Sequence, residues 1–150
     1  MNNTLDALKN YRINSEKMIS AGLPSPQQFA LLRQAGVQHV VDLIPGDRSE
    51  ERQLMVSLEL DYHNIPVDWE HPKLTDFQQY VATMNANLNQ EGKTLTHCKL
   101  NWRGAVFTYL YQVTQLGIDE TLARETLEAI WQPNETWQAF IDDVKAHYNY

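Results

Sequence analysis

The chain has 150 residues, 43% hydrophobic and 21% charged, the profile of one globular domain rather than a disordered or fibrous chain. Its formal net charge of −7, with no basic run, argues against nucleic-acid binding driven by counterion release. A single cysteine excludes an internal disulfide, and no stretch approaches the roughly 20 apolar residues of a membrane span.

Residues 1–150 read as one domain, with 1–14 as a less ordered N-terminal segment. MNNTLDALKNYRIN has no apolar signal core, and one free cysteine suits a reducing compartment. A cytoplasmic location is therefore expected, and a periplasmic one stays open for a chain whose signal has been removed.

Lys17–Ser20 reads as a short leading strand. Ser25-Pro26-Gln27-Gln28 is a helix start, with Ser as N-cap, Pro at the first helical position and Gln three residues after the cap. Phe29, Leu32 and Ala35 make an apolar stripe that Gly36 stops. Val37–Ile44 is nearly all apolar and suits a strand covered on both faces. Ser49–Leu60 reads as a helix with Leu54, Met55 and Leu58 inward, and Tyr62–Val67 as a strand. Asp68-Trp69-Glu70-His71-Pro72 is a loop, and Thr75 with Gln78 predicts a capping box for a helix to about Asn89. Thr94–His97 is a short buried strand. A helix follows from Arg103, with Val106, Tyr109, Leu110 and Val113 inward and Gly117 at its end. Helices over about Asp119–Trp131 and Asn134–Lys145 complete the chain, with Trp131, Trp137 and Phe140 expected in the core. Alternating strands and helices predict an α/β fold whose mainly parallel sheet carries helices on both faces.

The chemistry concentrates in His97-Cys98-Lys99-Leu100-Asn101-Trp102-Arg103-Gly104, between a strand and a helix. A cysteine facing a helix N-terminus meets unpaired N–H groups and the positive end of the helix dipole, which favour a thiolate and an anion. Arg103 offers a planar fork to phosphate or sulfate oxygens. Trp69 and Trp102 either rim an aromatic pocket or pack on each other. The five histidines show no HxH or HExxH spacing, so neither a metal nor a cofactor is expected. GKT at Gly92–Thr94 precedes a strand and is no nucleotide loop.

The His-Cys pair, short loop, Arg and helix resemble the active loop of cysteine-based (tyrosine/dual-specificity) protein phosphatases. AGLPSPQQFALLRQAGVQHVVDL, YHNIPVDWEHP and IWQPNETWQAF extend the likeness to a bacterial family of phosphatase-like proteins, from about Ala21 to Val144. The resemblance implies that family's three-layer fold, Cys98 as nucleophile, and Arg103 binding the phosphoryl oxygens. It also implies an anion loop of His97, Lys99, Leu100, Asn101, Trp102 and Gly104, with His97 bracing it, and a general acid at Asp68, or Glu70 as second choice. The implied partner is a phosphate- or sulfate-like anion on a small substrate or a phosphoprotein; the oligomeric state stays open.

Three features depart from the phosphatase pattern. Four residues, not five, separate Cys98 from Arg103; Asn101 stands where a glycine is usual; and Gly104 replaces the Ser or Thr that follows the Arg. Asn101 is the best non-glycine choice for a left-handed backbone. The four-residue spacing resembles the persulfide loop of rhodanese-like sulfurtransferases. A phosphatase, a sulfurtransferase using a Cys98 persulfide, and a catalytically silent anion- or partner-binding domain are thus three readings of one motif.

Overall fold

A computed structural model describes residues 4–150. Its five strands are β1 Arg12–Ile13, β2 Met18–Ala21, β3 Val37–Asp42, β4 Asp61–Asn64 and β5 Lys93–His97. They form one sheet in the order β1-β2-β5-β3-β4, antiparallel only at the β1–β2 edge. Six helices connect and follow them: α1 Pro26–Gln34, α2 Ser49–Ser57, α3 Leu74–Leu88, α4 Trp102–Gln115, α5 Glu120–Glu128 and α6 Glu135–His147. None of these is long and apolar enough to cross a membrane.

The strands alternate between two cores, as the two-residue period of a pleated strand demands. Ile19, Ala21, Val40 and Leu95 face one core with Phe29 and Leu32 of α1 and Met55 of α2. Met18 and Val41 face the other, built from α3 to α6 around Phe77, Tyr80, Phe107, Trp137 and Phe140. This is the expected three-layer α/β arrangement. The segment expected to be less ordered is built into it from Thr4 on: Leu5–Ala7 is a 3₁₀ turn and Arg12–Ile13 the edge strand. Residues 1–3 of that segment lie outside the described residues.

The Ser25–Gln28 capping box forms as read, and Gly36 stops the chain with φ +108°. Other boundaries differ for local reasons. The Tyr62–Val67 strand ends at Asn64, level with the last residue of β3, Asp42, with which Asn64 is in register. The chain stays extended beyond it, with Ile65 N–H donating to Asp42 O and Val67 N–H to Leu43 O. The predicted Thr75 capping box does not form. Helix α3 starts two residues earlier, with Lys73 as N-cap donating its N–H to the Asp76 carboxylate. Helix α2 ends at Ser57, before Glu59 takes a left-handed φ of +57°. Helix α4 is buried from Arg103 through Tyr111, all round and not on one stripe, so its N-terminus lies inside the protein.

Candidate active site

Three loops leave the C-terminal ends of parallel strands and enclose a cavity of about 470 Å³, where open α/β sheets carry their ligands. The β5–α4 loop lines it with Cys98, Lys99, Leu100, Trp102 and Arg103. Asp68 and Trp69 come from the β4–α3 loop, and Ile44 and Pro45 from the β3–α2 loop. Cys98 is only 1% exposed.

The β5–α4 loop is shaped by ties to the β1–β2 edge. Leu23 N–H donates to Lys99 O and Asn10 Nδ2 to Leu100 O. A trans peptide holds its N–H opposite its carbonyl, so the Leu100 amide turns away from Leu23, while an antiparallel bridge between Gly22 and Leu100 ties the loop to the end of β2. Asn101 takes the left-handed conformation expected of it, φ +63°, and its Nδ2 donates to Asn10 O and Ser20 Oγ. Two glycines stand where a Cβ would crowd this loop, Gly22 against backbone and Gly104 against a side-chain end. A Cβ on Gly22 would lie 2.7 Å from Lys99 O, and one on Gly104 would lie 2.6 Å from Asn101 Oδ1. A side chain after Arg103 would therefore have to displace the Asn101 amide, which is held by its bonds to Asn10 O and Ser20 Oγ.

Arg103 is 7% exposed and donates from Nη1 to Val67 O at 2.9 Å. Its Nε and Nη2 have no hydrogen-bond partner among the described residues, which leaves donors for an anion. Asp68 sits across the cavity with a 63% exposed side chain, where Oδ1 accepts from Glu70 N–H and Oδ2 lies 3.6 Å from His71 Nδ1. Glu70, His97, Asn101 and Gly104 do not line the cavity: Glu70 points to solvent, and the other three lie buried behind the loop.

His97 bridges this loop to a charge cluster in which Asp42, near the end of its strand, is within reach as its position suggests, while Glu51 and Arg48 carry no mark in the sequence motif. Its Nδ1–H donates to Cys98 O at 3.2 Å, and Nε2 meets Glu51 Oε2 at 2.7 Å. Arg48 donates to Glu51 and to Asp42, each at 2.7 Å. Asp42 also accepts from Ile44 N–H and Tyr62 OH. Glu51 was legible after the fact: it lies four residues before buried Met55, so both share the inward face of α2. Asp42, Glu51 and His97 place ligand-type atoms within 4.8 Å of one another. Arg48 already bridges the two carboxylates, so its positive charge takes the role a cation would have.

Burial alone would raise the Asp42 carboxyl; the His97 ring, the Tyr62 hydroxyl, Arg48 and the Ile44 N–H outweigh it and hold the group below the ordinary carboxylate range. A lowered folded-state pKa adds stability that is complete above the unfolded value of about 3.9 and is lost as pH falls through the folded one. Below about pH 4 the Tm of Asp42→Asn is therefore expected to depend less steeply on pH than that of the wild type, although the variant is the less stable at pH 7. Thermal melts from pH 7 to 3 check this, and parallel curves would remove Asp42 from the acid limb.

The tryptophans settle both ways. Trp69 and Trp102 line the cavity and also pack on each other, 5.9 Å between centroids. Trp131, Trp137 and Phe140 are core, as expected.

No protein-family profile and no curated protein sequence matches the chain. Among solved structures, a DUF442 phosphatase-like protein of Shewanella putrefaciens CN-32 is 33% identical, covers 96% of each chain and superposes with a TM-score of 0.84. TpbA of P. aeruginosa is 21% identical over 95% of this chain and 92% of its own, TM-score 0.74. A related TpbA structure holds phosphotyrosine. The catalytic domain of the S. cerevisiae PP-IP phosphatase SIW14, bound to citrate, is 13% identical over 95% of this chain and 94% of its own, TM-score 0.76. At these lower identities TpbA and SIW14 are likenesses of fold.

Proposed function

The chain belongs to the DUF442 family of phosphatase-like proteins, and on that premise we propose that it hydrolyses phosphate monoesters through a phosphocysteine at Cys98. The observation that carries the reading is the convergence of Cys98, Arg103 and Asp68 on one cavity, with two Arg103 nitrogens left unpartnered. The Cys98 thiolate attacks phosphorus, and the ester oxygen departs with a proton from Asp68. Water, deprotonated by Asp68, then attacks the phosphocysteine, expelling the thiolate and releasing phosphate. Arg103 and the amides at the start of α4 hold the oxygens on which charge builds. Asn101 supplies the left-handed turn that closes the shorter loop, with His97 and Gly104 supporting it from behind. Lys99 adds positive charge at the rim of a chain that is acidic overall. Anionic ligands in the TpbA and SIW14 structures support a phosphorylated or phosphate-like ligand here.

The sulfurtransferase reading rested on loop length alone, whereas the family relationship spans nearly the whole chain. Acid quenching during turnover of p-nitrophenyl phosphate, followed by mass spectrometry, separates the two. A phosphoryl adduct on the Cys98 peptide is the expected result. A persulfide after thiosulfate without any phosphoryl adduct would favour sulfur transfer, and tight phosphate binding without hydrolysis would favour the silent domain.

A further inference from the structure

Among the described residues the Asp68 carboxylate is bonded only within its own loop, accepting from Glu70 N–H with His71 Nδ1 nearby. Its distance from Cys98 is therefore set by the backbone on either side of it. Both flanking carbonyls are held by donors from elsewhere in the chain. Arg103 Nη1 donates to Val67 O at 2.9 Å, and Trp137 Nε1 donates to Trp69 O at 2.8 Å. Trp137 is fully buried on α6, far from Asp68 in sequence, and its ring lies 5.5 Å from that of Trp69. Trp131 stacks on Trp102 at 5.1 Å and donates to Trp102 O, so it braces the other loop instead. All four tryptophans of the chain thus meet where the two active-site loops join the C-terminal helices.

We propose that Trp137 is a positioning residue for proton transfer: its indole N–H holds the Trp69 carbonyl and thereby fixes the Asp68 loop over Cys98. This rests on the phosphatase reading. A buried indole N–H needs a partner for stability alone, but here the partner is the residue next to the proposed acid. Rate losses from a misplaced acid grow with the need of the leaving group for a proton, whereas general loosening slows all substrates alike.

The test compares phenyl phosphate, whose leaving group needs the proton, with p-nitrophenyl phosphate, whose leaving group scarcely does. In Trp137→Phe, kcat/KM, which reports the step in which the leaving group departs and not the later hydrolysis common to both substrates, is expected to fall by about 10- to 100-fold for phenyl phosphate and by less than about 3-fold for p-nitrophenyl phosphate. In an Asp68→Asn background the same substitution is expected to add no further loss for phenyl phosphate. Benzothienylalanine at position 137, which keeps the bicycle and replaces N–H by sulfur, should behave like Phe if the smaller ring unfolds the protein. Trp131→Phe should lower both substrates equally. Equal losses in Trp137→Phe, no loss, or a further loss in the Asp68→Asn background would each overturn the assignment while leaving the phosphatase reading intact. A wild type that hydrolyses neither ester would overturn both.

Discussion

Cys98→Ser is expected to lower hydrolysis of p-nitrophenyl phosphate by on the order of 10⁴-fold or more. The sulfur is the reacting atom in the proposed mechanism, and a serine hydroxyl there has no neighbouring base to ionise it: His97 points Nδ1 at the Cys98 carbonyl and Nε2 at Glu51, both away from the side chain. The change removes little volume at a buried site, so the fold should persist. Arg103 and the loop amides are untouched, so phosphate should still raise the Tm of the variant. Calorimetry with phosphate beside the rate assay separates a lost nucleophile from a lost site. Activity in the variant within about 10-fold of wild type would sink the phosphocysteine mechanism.

Glu51→Ala carries the second large effect, on stability. Glu51 is the shared acceptor of His97 and Arg48, at 2.7 Å from each. Removing it leaves two donors facing an empty space behind β5, and breaking a buried pair by deleting one partner costs about 3–5 kcal/mol. For a domain of this size that lowers Tm by roughly 10 °C. Glu51→Gln keeps the shape and an acceptor oxygen and should cost less. The loss should also reach the active site, because the His97 ring that Glu51 orients holds the Cys98 carbonyl. Urea unfolding at pH 7 measures the first effect and the p-nitrophenyl phosphate rate the second. A loss below about 1 kcal/mol would mean that the network is bypassed by water or by rearrangement of Arg48.

Much of this molecule is written locally. The Ser25–Gln28 capping box, the three valines of β3 and the helical spacing after Arg103 each depend on residues within a turn or two. Local rules therefore find them, and strand–helix alternation then implies the parallel sheet. The motif His97-Cys98…Arg103 and the left-handed Asn101 were legible for the same reason: contiguous residues share one loop, and only a few residue types tolerate a positive φ.

Other features depend on residues that meet only when the sheet forms. Its spacing from Met55 puts Glu51 on the inward face of α2, but what it meets there is decided when β3 and β5 bring Asp42 and His97 against that helix. The missing side chain at Gly104 reads as a departure from the phosphatase pattern until Asn101 Oδ1 is found in the space a Cβ would fill. The segment before Asn14 is too polar to predict as structured; its described residues, 4–13, are held by pairing with β2 and by bonds to the Cys98–Asn101 loop. Trp131 and Trp137 were legible as core residues from their helical spacing. The destinations of their indole N–H groups were not, because a hydrogen bond across 29 or 68 residues leaves no periodic trace in a chain. Sequence determined which residues are chemically equipped and which local elements carry them; tertiary packing decided which of those residues face one cavity and which hold it in shape from behind.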